Sequence, residues 1–191
     1  MIDHLQKWNL RHAEAEGPGE VAQVLLRNAH LLPEEGRALD LACGRGASAL
    51  WLAERGLEVH AWDFSPVAIE RLQREASTRG LAVKAEVREI TARPPGPGSF
   101  DLVLVSHFLE RTLAPVLVAA LRPGGRLFYQ TFVREVNLGR GPGSDEWRLA
   151  PNELLQLFSG LRLHYYREDA PFGGEADELA DLALMVASKP L

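Results

Sequence analysis

The residues best suited to chemistry lie in one short stretch, Asp40-Leu-Ala-Cys-Gly44-Arg-Gly46. A carboxylate stands ahead of two glycines spaced for a tight turn. Glycine backbone in such a turn lets a ligand approach the main chain closely. The stretch closes an apolar run, RALDLA (37–42), and opens a helical pattern over 46–55. The turn therefore joins a strand to a helix, the place where doubly wound sheets bind ligands. Cys43 lies inside it and reads as a small, largely buried residue rather than a nucleophile.

Gly44-x-Gly46-x-x-Ala49, with Asp63 as a ribose acid, satisfies a loose dinucleotide pattern. Asp40 argues against that ligand. A carboxylate at the strand end repels a pyrophosphate, which needs the positive end of the following helix. The same carboxylate suits a ligand with a cationic amino group and no phosphate, and S-adenosylmethionine is one.

The elements that must position this turn alternate along the chain. RALDLA (37–42), LEVHAWD (57–63), LAVKAEV (81–87), FDLVLVS (100–106) and RLFYQTF (126–132) read as strands. Helical spacing is expected over 19–32, 46–55, 66–79, 112–121 and 151–158. Ser65 is placed to cap the third of these helices, with Pro66 in its first turn and Gly80 at its end. The RPGG stretch (122–125) is read as a helix stop. Alternating strands and helices imply an α/β doubly wound, Rossmann-like sheet with helices on both faces. Two final strands, 161–169 and 179–188, are separated only by a loop and are expected to pair antiparallel at one edge. Residues 1–35 are read as an N-terminal helical segment or lid and 36–191 as the catalytic domain, one structural domain overall.

The motif order ALDLACGRG, VHAWDFS, VREI, FDLVLVS and ALRPGGRLF resembles that of the class I S-adenosylmethionine-dependent methyltransferases. The likeness runs from about residue 36 to 188. It implies a seven-stranded sheet whose last strand is antiparallel, with S-adenosyl-L-methionine as cofactor. It also implies residue roles. Asp40 and the turn Ala42, Cys43, Gly44 and Gly46 would face the methionine part. Asp63 would accept hydrogen bonds from the ribose hydroxyls, and Phe64 would pack beside the adenine. Glu89 would take the adenine amino group and Ile90 would cover the ring. Ser106 and His107 would line the reaction centre. Two positions depart from the usual pattern. Ala42 stands where many members have the first glycine of the turn, and Glu89 replaces the more common Asp. Within the class, Trp8-Asn9-x-Arg11, DFSPVAIERL, SHFLER, QTF and WRLAPNELLQLF resemble the tellurite-resistance-type methyltransferases of small molecules.

The chemistry so implied is displacement at a sulfonium methyl. A soft sulfur, selenium or tellurium nucleophile needs no strong base, whereas a hydroxyl or amine does. By position His107 is the first candidate base, and His12 on the N-terminal segment is a second. Trp8, Arg11 and His12 on the N-terminal segment, and Trp147 in the glycine-rich stretch 139–147, are candidates for the acceptor pocket. Arg11, Arg111 and Arg134 could hold an acidic or oxyanion substrate. No NPPY-type motif follows the fourth strand, which disfavours a nucleobase or amide nitrogen as acceptor.

Composition excludes several other classes. The chain has 191 residues and a net charge of −5, which argues against nucleic acid as the main partner and leaves room for a local basic patch. Its one cysteine allows neither an internal disulfide nor a cysteine-based zinc site, and no metal is expected. No run approaches the roughly 20 apolar residues of a membrane helix. A cytoplasmic protein, monomer or homodimer, acting on a small-molecule methyl acceptor is expected. The competing reading is a catalytically silent protein that binds the same cofactor, a sensor or an activating subunit.

Overall fold

The computed structural model describes residues 2–135, 138–172 and 179–191. Seven strands form one sheet: β1 (Arg37–Leu41), β2 (Glu58–Asp63), β3 (Val83–Val87), β4 (Phe100–Ser106), β5 (Leu121–Phe132), β6 (Arg162–Glu168) and β7 (Leu182–Ser188). Their order is β3-β2-β1-β4-β5-β7-β6. Strands β1 to β5 pair in parallel, and β7 runs antiparallel to both β5 and β6. The expected pairing of the last two strands is present. β7 lies inside it, between β5 and β6, and all but its final residue is buried. An apolar run covered on both faces belongs in that interior position.

Among the described residues six α-helices accompany the sheet: α1 (Ile2–Glu14), α2 (Gln23–Arg27), α3 (Ala47–Ala53), α4 (Pro66–Arg79), α5 (Ala114–Ala120) and α6 (Glu153–Leu157). Alternation along the strands divides the core between two faces. Leu39, Leu41, Val103 and Val105 pack with Leu117 of α5 and Leu154 of α6. Ala38, Leu102, Leu104 and Phe128 pack with Val24 and Leu25 of α2, Leu50 of α3 and Leu72 of α4. α4 starts and stops where its caps predict. The Ser65 Oγ accepts the Ala68 amide at 3.2 Å, and Gly80 closes the helix in the left-handed conformation. Among the described residues no helix is long and apolar enough to cross a membrane.

Two local expectations are corrected. The helix over 19–32 is broken. Ala22 is extended, and the buried Asn28 donates its side-chain amide to the Val24 carbonyl at 3.0 Å, after which a 3₁₀ turn covers Ala29–Leu31. An asparagine that bonds to a backbone carbonyl competes with helix continuation. The RPGG stretch lies within β5 rather than before it. The β4–β5 register shifts between Phe100↔Leu121 and Leu102↔Arg126, so these residues form an irregularity inside the strand.

Candidate active site

Parallel register gathers the site at one end of the sheet. Leu41 pairs with Trp62 on one side and Val105 on the other. The residues that follow β1 therefore lie between Asp63, at the end of β2, and Ser106, at the end of β4. Ala42 turns the chain with φ +57°, a left-handed value uncommon for a residue with a Cβ. The Cys43 amide donates to the Trp62 carbonyl at 3.0 Å and the Gly46 amide to the Cys43 carbonyl at 3.0 Å. Gly46 is required for space as well as conformation. At φ +84°, a Cβ there would stand 2.3 Å from Cδ1 of Leu72. The sequence folds into this turn because α4 packs directly behind it.

Two carboxylates flank the turn. Asp63 is only 4% exposed. Its Oδ2 accepts the Gly44 amide and its Oδ1 the Ser65 amide, each at 2.9 Å. Burial raises its pKa, while those amides oppose the rise. Asp40 is 2% exposed, and its Oδ2 is buried without a hydrogen-bond partner. Burial first, and the nearby charge of Asp63 second, push its pKa up to about 7, against the pull of the Ala49 amide. Burial, with Asp40 and Asp63 adding to it, raises the Cys43 thiol well above its ordinary value, so the thiol stays protonated.

α1 lies over these groups. Cε1 of His12 would be 3.4 Å from a Cβ on Gly44, which puts the ring directly above the turn. Trp8 stacks on His12 at 5.7 Å, and the Arg11 guanidinium sits 5.1 Å from the Trp8 ring. His4 stacks on the half-buried Phe64 at 5.7 Å. The helix is tied down at several points. The Ser65 hydroxyl donates to Asn9 Oδ1 at 2.5 Å, Arg71 donates to the His12 and Ala13 carbonyls, and Arg45 to those of Glu16 and Gly17. Burial lowers the His12 pKa, opposed by Asp63 and reinforced by Arg45, Arg71 and Arg11. The sequence alone gave no reason to expect Asp63 so deeply enclosed.

At the end of β4, His107 takes a left-handed conformation, φ +55°. Its Nδ1 is 3.1 Å from Ser106 Oγ, and its ring packs 5.1 Å from that of Phe132. One side of the residue remains open to solvent. The packed side is desolvated enough to lower the pKa, with Glu20 acting in the opposite sense.

The structure thus brings Asp40, Ala42, Cys43, Gly44, Gly46, Asp63 and Phe64 together with Trp8, Arg11 and His12, and sets Ser106 and His107 beside them. Glu89 and Ile90 follow β3 nearby. Glu89 is exposed, and its Oε1 accepts the Thr91 hydroxyl at 2.8 Å. Ile90 is buried against Trp62 in the core. Trp147 lies on the segment that follows β5 and is exposed. It ends a 3₁₀ turn, Asp145–Trp147, and that segment is pinned by Arg148, whose guanidinium donates to the Val133, Arg140 and Pro142 carbonyls. Arg111 is committed as well, paired with Glu153 and donating to the Glu146 and Arg148 carbonyls. Arg134 donates to the Asp145 carbonyl at 3.3 Å. Sequence reasoning missed Gln130 as a site residue. Its signal was a lone amide inside the apolar strand RLFYQTF, and at 1% exposure it is fully enclosed.

The strand order makes this a doubly wound α/β protein, a class that takes its ligands at the strand ends where the glycine turn and the two buried acids lie. Residues 38–125 match the Methyltransferase domain family. A ubiquinone biosynthesis O-methyltransferase of Xanthomonas axonopodis pv. citri is 26% identical over 81% of this chain and 67% of its own length. A demethylmenaquinone methyltransferase of Thermus thermophilus is 38% identical over 50% of this chain and 47% of its own. The chain thus spans between about half and two thirds of these curated relatives. The crystal structure of TehB from Haemophilus influenzae superposes with a TM-score of 0.73 at 20% identity, covering 88% of this chain and 62% of that one, and shows the same fold. The matched stretch is a methyltransferase domain, and the strand order around it is that of the class I S-adenosylmethionine-dependent methyltransferase fold.

Proposed function

We propose that this protein transfers a methyl group from S-adenosyl-L-methionine to a small acceptor bearing an acidic O–H or S–H: a phenol, a thiol or its selenium analogue. The observation that carries the cofactor half is the buried, unpartnered Oδ2 of Asp40 beside the glycine turn. An orphaned acceptor of this kind is costly unless a donor meets it. A cationic amino group is a donor matched to it in charge. Asp63 spends two of its four or so lone-pair sites on the Gly44 and Ser65 amides, which leaves two for the ribose hydroxyls. Phe64 and Ile90 would wall the adenine, with the free oxygen of Glu89 for its amino group.

When bound, the cofactor supplies an already activated methyl on a sulfonium, and the chain has to align a nucleophile and hold its proton. His107 is the group for that proton. Its lowered pKa keeps it neutral at pH 7, and its open side faces solvent at the sheet end. Of the candidate oxyanion holders, Arg111 and Arg134 are engaged with protein partners, whereas Arg11 lies against the Trp8 ring in the N-terminal wall. The Xanthomonas relative is an O-methyltransferase of ubiquinone biosynthesis, which supports an O–H acceptor. In this reading the N-terminal segment, with Trp8, Arg11 and His12, forms the wall that closes over the acceptor. Trp147 would contribute only from the outer rim.

The test is S-adenosylhomocysteine release over phenols, thiols, small amines, selenite and tellurite. Turnover with phenols or thiols, lost in His107→Ala while S-adenosylhomocysteine still binds, is the expected result. Binding of the cofactor with no turnover on any acceptor would favour the silent sensor instead.

A further inference from the structure

Gln130 touches His107 through both its backbone and its side chain. Ser106 and Gln130 are register partners across β4 and β5, and the His107 amide donates to the Gln130 carbonyl at 2.9 Å. The Gln130 side chain then reaches in two directions. Its Oε1 is 2.8 Å from the Val24 amide, and its Nε2 is 3.5 Å from His107 Nε2. The orientation of a glutamine amide is set by its partners. The Val24 amide can only donate, so the atom facing it must be the carbonyl oxygen. The NH₂ group is thereby forced toward the imidazole. An NH₂ group cannot accept, and a second N–H aimed at it would be repelled. The ring nitrogen facing Gln130 therefore carries no proton. The proton must sit on Nδ1, where Ser106 Oγ at 3.1 Å accepts it.

We infer that Gln130 is a positioning residue that fixes His107 in the Nδ1–H tautomer, with the Nε2 lone pair kept free to receive the acceptor's proton. The inference rests on the reading of His107 as the base. At 3.5 Å the amide contact is at the outer limit of a hydrogen bond, so an acceptor O–H or S–H can replace it at little cost. The proton balance is simple. The acceptor's proton goes to Nε2, its electron pair goes to the methyl carbon, and the sulfonium sulfur leaves neutral. The negative charge of Glu20 favours the resulting imidazolium. The anchor at Val24 also means that the tautomer depends on α2 being seated against β5.

The test uses the full chain labelled with ¹⁵N-histidine, and long-range ¹H–¹⁵N spectra give the tautomer directly. The His107 signal is assigned by its loss in His107→Gln. Wild-type protein is expected to show Nδ1–H, and an Nε2–H ring would overturn the inference without any variant. Gln130→Glu keeps an oxygen for Val24 but offers an acceptor to the ring. It should switch His107 to Nε2–H, raise its pKa, and move the acidic limb of kcat/KM to higher pH. Turnover of phenols should fall on the order of tenfold to a hundredfold. An unchanged tautomer and pH profile in a folded Gln130→Glu protein would overturn the inference. Full activity in His107→Ala would instead remove the base reading and leave the tautomer result standing.

Discussion

Asp63 and Gly44 are joined by a 2.9 Å hydrogen bond from the turn after β1 to the carboxylate at the end of β2. One side chain thus both shapes the glycine turn and stands beside the candidate cofactor site. Removing it costs two things together. Asp63→Ala should lower stability by about 1–3 kcal/mol, because the Gly44 and Ser65 amides lose a charged acceptor. It should also weaken S-adenosylhomocysteine binding by a similar amount. Denaturant unfolding and calorimetry measure the two separately. Unchanged stability would mean that the turn holds itself without Asp63.

Asp40 makes the cofactor affinity depend on pH. Its folded pKa of about 7 lies above the ordinary carboxylate value of 3.8, so the folded state holds a proton that the unfolded state releases. Stability should therefore fall as pH rises from about 4 to about 7 and level off above. A cationic amino group needs the ionised form, so S-adenosylmethionine affinity should drop about tenfold per pH unit below 7. Asp40→Asn should flatten both profiles. Isothermal titration between pH 5.5 and 8.5 decides it, and a pH-independent affinity in wild type counts against the role.

Gly46→Ala places a methyl group against Leu72, a side chain with no exposed surface and no room to retreat. The left-handed φ adds strain of its own. A loss of about 2–4 kcal/mol is expected, visible as a lower melting temperature, together with loss of cofactor binding. A variant with wild-type stability would show that α4 can shift away from the turn.

Arg111 is a strut between the segment after β4 and the start of α6. Arg111→Leu should destabilise the fold by about 1–2 kcal/mol through the stranded Glu153, without changing which acceptors are used. The pair holds the Glu153 carboxyl below its ordinary range, so its contribution is present above about pH 4.5 and fades as pH falls. A changed acceptor spectrum with intact stability would place Arg111 in the pocket.

Deleting residues 1–16 removes Trp8, Arg11 and the His12 ring above Gly44. Turnover should fall strongly, while S-adenosylhomocysteine affinity stays within about tenfold, roughly 1.4 kcal/mol. Normal turnover by the truncated protein would mean that the acceptor pocket does not need α1.

The sequence by itself determined what depends on neighbours along the chain. Ser65, Pro66 and Gly80 set the limits of α4 because capping is a matter of a few consecutive residues. The apolar runs 37–42 and 100–106 had to be interior strands, since neither offers a polar face. Asp40, Gly44 and Asp63 stood out because their chemistry is tied to the strand ends that carry them. Tertiary structure decided the rest. Whether β7 would lie inside its pair or at the edge follows from which side of β5 it docks on, and local pattern does not carry that choice. The approach of His12 to Gly44 depends on how α1 folds back over the cleft. The bond from Val24 to Gln130 spans 106 residues, and Arg111 meets Glu153 across 42. Such contacts are fixed by strand order and register, which are properties of the packed sheet. Periodicity selects the face a side chain points to, and only the assembled neighbours determine what it meets there.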